Sequence, residues 1–149
     1  MKEKISALEL SYEEIIFLFY LLIESLLYGQ ESRSRNKIVN LLKERVEEFE
    51  KERMSILEKY SEKDKEGKLK TEKFIQQGEE KKRFVLTDQE KFNKEFQELV
   101  NTSKSVFDVL PSNRSDFLTV KNIVLNSNKK LNYEDSEIYD RICTKLEKI

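Results

Sequence analysis

IIFLFYLLI, residues 15–23, is an unbroken run of nine apolar side chains between Glu14 and Glu24. A helix that is apolar on every side has to be buried on most of its surface. Extended to Tyr28, this helix would be only about 21 Å long, short of the roughly 30 Å hydrocarbon core of a bilayer, and Glu24 falls inside it. We therefore interpret the run as the central helix of the fold. It needs no membrane partner, and it has excess apolar surface for a second protein chain.

The composition around this run is typical of long helices with one buried stripe. Of the 149 residues, 38% are hydrophobic and 38% are charged, with only three glycines and one proline. So few chain breakers favour helices, and the many charges suit helices with solvated faces. We predict one domain, 1–149, with a mainly α fold and a small antiparallel β element (α+β). It would contain a long helical hairpin carrying a β-hairpin, plus an apolar N-terminal helix and a C-terminal helix.

Capping signals mark the predicted helices, usually a serine or threonine followed three residues later by a glutamate. They are Ser11 with Glu14, Ser32 or Ser34, and Thr87 with Glu90, while Gly29 offers the first helix an end. The predicted order is an apolar helix at 11–29, a long helix at 32–60, a β-hairpin with a longer loop at 68–87, a helix at 88–102, a strand at 105–110 and a helical C-terminal part at 116–149. We expect the strand to extend the hairpin to three strands.

The charge balance and the single cysteine bear on partners and compartment. With 28 basic and 29 acidic residues the net charge is −1, so no general field attracts nucleic acid, and we expect no nucleic-acid partner. Cys143 cannot form an intramolecular disulfide, which favours a reducing compartment. The first ten residues place Glu3 and Glu9 where a signal peptide would be basic or apolar. We therefore expect a cytoplasmic protein.

The residue types required by common catalytic sites are largely missing. The chain has no histidine and one cysteine, which excludes Cys/His zinc sites and the Ser–His and Cys–His nucleophile pairs. No glycine-rich phosphate-binding motif occurs. A cluster of acids in the C-terminal part could hold Mg²⁺ or Ca²⁺, but acids at a helix start are the more common reason for such a pattern. These acids are Glu134, Asp135, Glu137 and Asp140. We expect no metal, no cofactor and no enzymatic activity.

Candidate binding residues fall into three groups. Those of the first helix would meet a protein partner through excess apolar surface. Those of the hairpin tip would be exposed for recognition, unless Phe74 packs on Phe84 across the strands. Basic residues at the start of the long helix could bind an anion at free helix amides, or simply be solvated. The groups are Phe17, Tyr20, Leu21 and Tyr28; Phe74, Gln76 and Gln77; and Arg33, Arg35 and Lys37.

Two segments carry a family resemblance. NKIVNLLKERVEEFEKERMSILEKYSEKDKEGKLK (36–70) and FNKEFQELVNTSKSVFDVL (92–110) resemble a family of small, uncharacterised tailed-phage proteins of low-GC Gram-positive bacteria. The resemblance covers about residues 36–110, half of the chain. It implies a phage origin and a helix–hairpin–helix shape, and it supplies no catalytic residues. With such an origin, the expected cytoplasmic location is that of the host cell. The positions that match the family pattern are Arg53, Leu57, Tyr60, Gly67, Glu98 and Leu99.

These observations favour a non-enzymatic phage protein that acts through protein–protein contacts. We expect it to bind and modulate or inhibit a host defence or regulatory protein, and to form a homodimer through its first helix. Two alternatives remain open: a virion structural, assembly or chaperone protein, and a protein that binds a small ligand or nucleotide.

Overall fold

The computed structural model describes residues 6–149, and these fold as two compact units. The first unit joins residues 6–47 to Ser103–Ile149, and the second unit is Glu48–Thr102. The described residues are mainly helical with two small antiparallel sheets, which confirms the predicted fold class; the single domain stays a prediction. The elements are β1 (Ala7–Ser11), α1 (Tyr12–Glu24), α2 (Gly29–Tyr60), β2 (Thr71–Gln76), β3 (Glu79–Phe84), α3 (Gln89–Thr102), β4 (Lys104–Asp108), α4 (Arg114–Leu125) and α5 (Tyr133–Glu147).

The sheet of the first unit differs from the sequence-based expectation. The strand expected at 105–110 does not extend the hairpin; as β4 it pairs antiparallel with β1, a strand that the sequence analysis missed. Leu8 and Leu10 of β1 lie opposite Phe107 and Ser105, and all four side chains are buried. Alternation of buried and exposed residues is the signature of a strand with one covered face. Burial of this shared face on the helices therefore selects β1, and not the hairpin, as the partner of β4.

Helix α1 packs at the centre of the first unit, against α5 and α4. It buries Ile15, Leu18, Leu21 and Leu22, while Tyr20 on the opposite side is 50% exposed. The expected burial on most sides is therefore only partly realised. The remaining core side chains of this unit come from every other element, namely Leu8, Leu10, Ile38, Leu42, Phe107, Val109, Phe117, Val120, Val124, Ile142, Leu146 and Ile149.

The boundary between α1 and α2 also differs from the prediction. α1 begins with the predicted Ser11–Glu14 capping box but ends at Glu24, and Gly29 is the first residue of α2 rather than the end of α1. Ser25 leaves the helix in an extended conformation, with φ −74° and ψ 131°. Its hydroxyl donates to the Leu21 carbonyl at 2.7 Å. This side-chain bond, together with an arginine described below, satisfies the helix end without a glycine.

The two serines expected to cap α2 have other roles. Ser32 lies inside α2, and its hydroxyl donates to the Gly29 carbonyl at 2.7 Å. The hydroxyl of Ser34 donates to the carboxylate of Asp116 at 2.9 Å. Asp116 is 6% exposed, so this bond ties α2 to the start of α4. At the start of α2, the Ser32 amide donates to the Tyr28 carbonyl at 2.9 Å.

The predicted hairpin lies in the second unit. β2 and β3 pair with Gln76 opposite Glu79, so only Gln77 and Gly78 form the turn, and the longer loop expected from sequence is wrong. Both turn residues have positive φ, 53° and 78°. These angles are typical of a type I′ turn, whose twist matches that of the flanking strands.

The base of the hairpin holds the ends of α2 and α3 together. The Thr87 amide and hydroxyl both donate to the Tyr60 carbonyl, at 2.7 and 3.0 Å. Thr87 is therefore not the cap of α3 that its sequence context predicts. Asp88 takes that role, since its carboxylate accepts from the Lys91 amide at 3.1 Å. α3 contributes no fully buried side chain, so this unit has a thin core.

Candidate protein-binding surface

The second half of α1 and its connection to α2 expose large apolar side chains, which we call the corner surface. It consists of Tyr20, Ile23, Leu26 and Tyr28, which are 50, 45, 99 and 86% exposed. Tyr20 and Ile23 are three residues apart on α1 and therefore neighbours on one face of the helix. Sequence reasoning had named Tyr20 and Tyr28. It did not name Ile23, and it placed Leu26 inside a helix that continued to Gly29, whereas α1 ends at Glu24.

A groove of about 720 Å³ lies beside the corner surface. Its apolar lining includes Leu26 and Leu27 together with Leu21 and Ile123, and the loop after α4 contributes Asn126 and Asn128. The Lys129 ammonium donates to the Glu24 carboxylate at 2.7 Å, which links the two walls. The groove thus combines apolar side chains with amides that can both donate and accept hydrogen bonds, a mixture typical of protein-binding surfaces.

Two residues predicted to bind a partner face their own chain instead. Leu21 is only 3% exposed and belongs to the core. Phe17 is half-buried, with its ring centroid 6.4 Å from that of Tyr139 on α5. The Tyr139 hydroxyl donates to the Val124 carbonyl at 2.6 Å, and burial, followed by the hydrogen bond and charge of Cys143, raises the pKa of Tyr139 to about 12. The expected interface along this part of the helix is corrected accordingly: Leu21 lies in the core, and Phe17 contacts Tyr139 of α5.

A buried carboxylate fixes the start of α1 against α5. Glu14 is 2% exposed. It accepts from the Lys145 ammonium and from the Ser11 amide at 3.0 Å, and Arg141 Nε lies 3.4 Å away. Burial alone would raise the pKa of Glu14, but the hydrogen bonds and charges of Lys145, Ser11 and Arg141 outweigh it and hold the pKa below the ordinary value. This cluster orients the helix that carries the corner surface.

The three residues of the predicted anion-binding group do not form one site. Arg35 is two positions from both Arg33 and Lys37 and points to a different side of the helix, whereas Arg33 and Lys37 are four positions apart and share a face. Arg35 Nη1 donates to the carbonyls of Leu22 and Ser25 at 2.9 and 2.7 Å. Lys37 lies 3.8 Å from the Asp116 carboxylate, while Arg33 is exposed. Arg35 thus serves as the cap of α1.

The acids of α5 act mainly at a helix start. Asn132 caps the helix by accepting from the Asp135 amide at 2.8 Å, and Glu134 and Asp135 lie in its first turn. Such acids interact favourably with the helix dipole. Among residues 6–149, no three side chains of the metal-ligating types come close enough to hold an ion.

The hairpin tip presents a different apolar residue from the one expected. Phe74 lies opposite Lys81, not Phe84, and the Arg83 guanidinium covers its ring at 4.8 Å from the centroid. Ile75, absent from the predicted set, is 79% exposed. Gln76 and Gln77 are also exposed at the turn. The tip is therefore a second, smaller candidate surface centred on Ile75.

Comparisons with known proteins give no relative for these surfaces. No family model, no curated protein and no solved structure matches the chain. None of the helices in the described part of the chain has the length and apolarity needed to cross a bilayer.

Proposed function

We propose that the chain is a non-enzymatic protein of tailed-phage type that binds a host defence or regulatory protein through the corner surface. The observation that carries this proposal is the exposure of Leu26 and Tyr28, 99 and 86%, in a connection of four residues between two helices. Large exposed apolar side chains that lie close together on a protein surface mark interaction sites. The resemblance of residues 36–110 to phage proteins supports the viral origin and a host protein as the target.

The energetics favour these residues as anchors. Full burial of a leucine side chain contributes about 1.5–3 kcal/mol, and tyrosine is among the residue types enriched at interface hot spots. Leu26 contributes almost no buried surface to the core of the folded chain, because its side chain is 99% exposed. A bound partner would gain most from covering it together with Tyr28.

The proposal is tested by capture from a lysate of the host bacterium with quantitative mass spectrometry. The wild-type chain is compared with the double variant Leu26→Ser/Tyr28→Ser and with the control Tyr133→Ser. Tyr133 is 76% exposed at the start of α5, so the control removes a similar side chain outside the corner surface. We expect the amount of one captured protein to fall at least about tenfold with the double variant, because two hot-spot residues are removed. With the control variant the amount of that protein should be unchanged.

Retention of that protein by the double variant would contradict the proposal. Its loss with Ile75→Ser instead would transfer the binding site to the hairpin tip. Thermal unfolding of each variant shows whether the fold is intact, and because all of these side chains are exposed we expect little change.

A virion assembly or chaperone role is the second candidate, and the second unit favours it. α3 carries Phe92 and Phe96 with stacked rings, 5.9 Å between centroids, yet buries neither fully. A half-exposed apolar stripe on a helix can clasp another chain. Detection of the protein in purified particles would favour this role over binding to a host protein.

A further inference from the structure

The outer edge of β4 carries backbone groups that point away from its partner strand. Two hydrogen bonds bracket the β1–β4 ladder: the Val109 amide donates to the Ser6 carbonyl at 2.7 Å, and the Tyr12 amide donates to the Ser103 carbonyl at 3.0 Å. In an antiparallel pair every second residue bonds to the partner strand, and the residues between point outward. Val106 is one of the residues between.

Three residues therefore form this open edge. The amides and carbonyls of Lys104, Val106 and Asp108 point outward, and the sheet has two strands within the described chain. One of these groups is used, since Asn113 Nδ2 donates to the Asp108 carbonyl at 3.1 Å. Unpaired groups along an exposed strand are a template for another strand.

The side chains of the open edge are self-complementary. Lys104, Val106 and Asp108 are all exposed on one face of β4. If a second β4 adds antiparallel about a two-fold axis at Val106, Lys104 lies opposite the partner's Asp108, and Asp108 lies opposite the partner's Lys104. Opposite charges that face each other across strands are stabilising. The present partner of Lys104 is Glu9 at 4.0 Å, with both side chains more than half exposed, which is a weak competitor.

The space beside the edge is suited to an added strand. A groove of about 270 Å³ runs there, between Val106 and Leu110 on one side and Leu41, Glu44 and Arg45 of α2 on the other. Leu41 is 37% and Leu110 50% exposed. A strand placed about 4.8 Å from β4 would cover both leucines.

We propose that β4 pairs with β4 of a second copy of this chain, so that two two-stranded sheets become one four-stranded sheet in a two-fold symmetric dimer. A two-stranded ribbon is marginal and a sheet of more strands is stable, and an isologous contact needs only one self-complementary surface. The charge order Lys–Val–Asp on alternate residues favours a second copy over an extended segment of another protein. The inference does not depend on the proposed function, and it leaves the corner surface available to a target.

Charge reversal tests the pairing directly. Lys104→Asp and Asp108→Lys each place like charges opposite each other twice in the dimer, and the combined variant Lys104→Asp/Asp108→Lys restores opposite charges. Sedimentation of the full chain over micromolar concentrations should show a dimer for the wild type. We expect the dissociation constant to rise at least about tenfold in each single variant and to return within about threefold in the combined variant.

Two further variants sharpen the experiment. Val106→Pro removes one outward amide that β1 does not use, and proline is tolerated on an edge strand, so it should yield a folded monomer. Lys130→Asp, in the exposed loop before α5, is the matched charge reversal and should leave the dimer unchanged; circular dichroism reports folding. Three results would each overturn the proposal. They are a monomeric wild type, a dimer whose dissociation constant does not rise in the single reversals, and a combined variant whose dissociation constant does not return toward that of the wild type. A wild-type monomer whose capture of a host protein is lost in Val106→Pro would assign the edge to a target segment instead.

Discussion

Glu14 is a buried carboxylate that serves two elements at once. Its side chain accepts from the Ser11 amide at the start of α1 and from Lys145 on α5. The first contact is local and follows from the Ser11–Glu14 spacing. The second joins residues 131 positions apart, and no short-range pattern contains it. A buried acid is tolerated only when it is paired and hydrogen-bonded, so the sequence predicted the cap but not the ion cluster that makes its burial possible.

Replacement of this acid should remove a pH dependence. The pKa of Glu14 in the folded chain lies below its ordinary value of 4.5. Its ionised form therefore stabilises the fold above about pH 4.5, and this stabilisation is lost as the pH falls through the lower folded-state pKa. We expect Glu14→Gln to cost roughly 1–2 kcal/mol of unfolding free energy at neutral pH, and the difference from wild type to shrink toward about pH 3.

Urea unfolding followed by tyrosine fluorescence measures this difference. Five of the six tyrosines lie in the first unit, so the signal reports mainly on the unit that holds the cluster. The control is Glu13→Gln, because Glu13 also lies near Arg141, at 3.3 Å, but is half exposed; we expect a change within about 0.5 kcal/mol. A Glu14→Gln variant that keeps the pH dependence of the wild type would contradict this account.

At the scale of elements, the features set by a few adjacent residues were predictable, whereas the end of α1 and the pairing of the strands were not. The capping box of α1 and the existence of the hairpin follow from a few adjacent residues. The end of α1 does not, because it depends on Arg35, ten residues beyond Ser25. The pairing of β4 with β1 is more remote still. Short strands have similar sequence patterns, so the pattern of β4 does not tell whether it pairs with β1 or with the hairpin. That choice depends on which shared face of the paired strands the helices can cover.

The role of Arg35 as the cap of α1 can be separated from that of a surface cation. Its guanidinium satisfies two carbonyls at the helix end, and hydrogen bonds from a charged donor contribute more than neutral ones. We expect Arg35→Ala to lower the unfolding free energy by about 1–2 kcal/mol, with partial recovery in Arg35→Lys. Arg33→Ala, two residues away and exposed, should change it by less than about 0.5 kcal/mol.

The same tyrosine-fluorescence measurement compares these variants. Equal effects of Arg33→Ala and Arg35→Ala would argue against the capping role. The unfolding measurement is repeated with added phosphate. If phosphate stabilises the wild type but neither Arg33→Ala nor Arg35→Ala, the anion-binding hypothesis for this group is supported instead.

At the scale of the whole molecule, hydrophobic burial is divided unequally. Of the 18 buried hydrophobic side chains among residues 6–149, Phe49 and Leu57 lie in the second unit and the other 16 in the first. The apolar run 15–23 indicated from sequence where the main core would form. The apolar stripes of α2 and α3 correctly indicated helices. They did not indicate that the side chains of these stripes would stay half-exposed in the second unit, because periodicity shows which face is apolar but not how much of it another element covers. The corner surface was missed in part for the same reason.

This division predicts that the two units differ in local stability. Hydrogen exchange of the full chain, read peptide by peptide, measures the free energy of opening at each element. We expect amides of β1, α1, β4 and the buried turns of α5 to exchange slowest. Those of β2, β3 and α3 should exchange through openings at least about 2 kcal/mol smaller, because few buried apolar contacts oppose them. The hairpin amides that bond across β2 and β3 are the sharpest probe, since their protection depends on the second unit alone. Protection of these amides equal to that of α1 would show that the chain opens as one cooperative unit, as the single domain predicted from sequence requires.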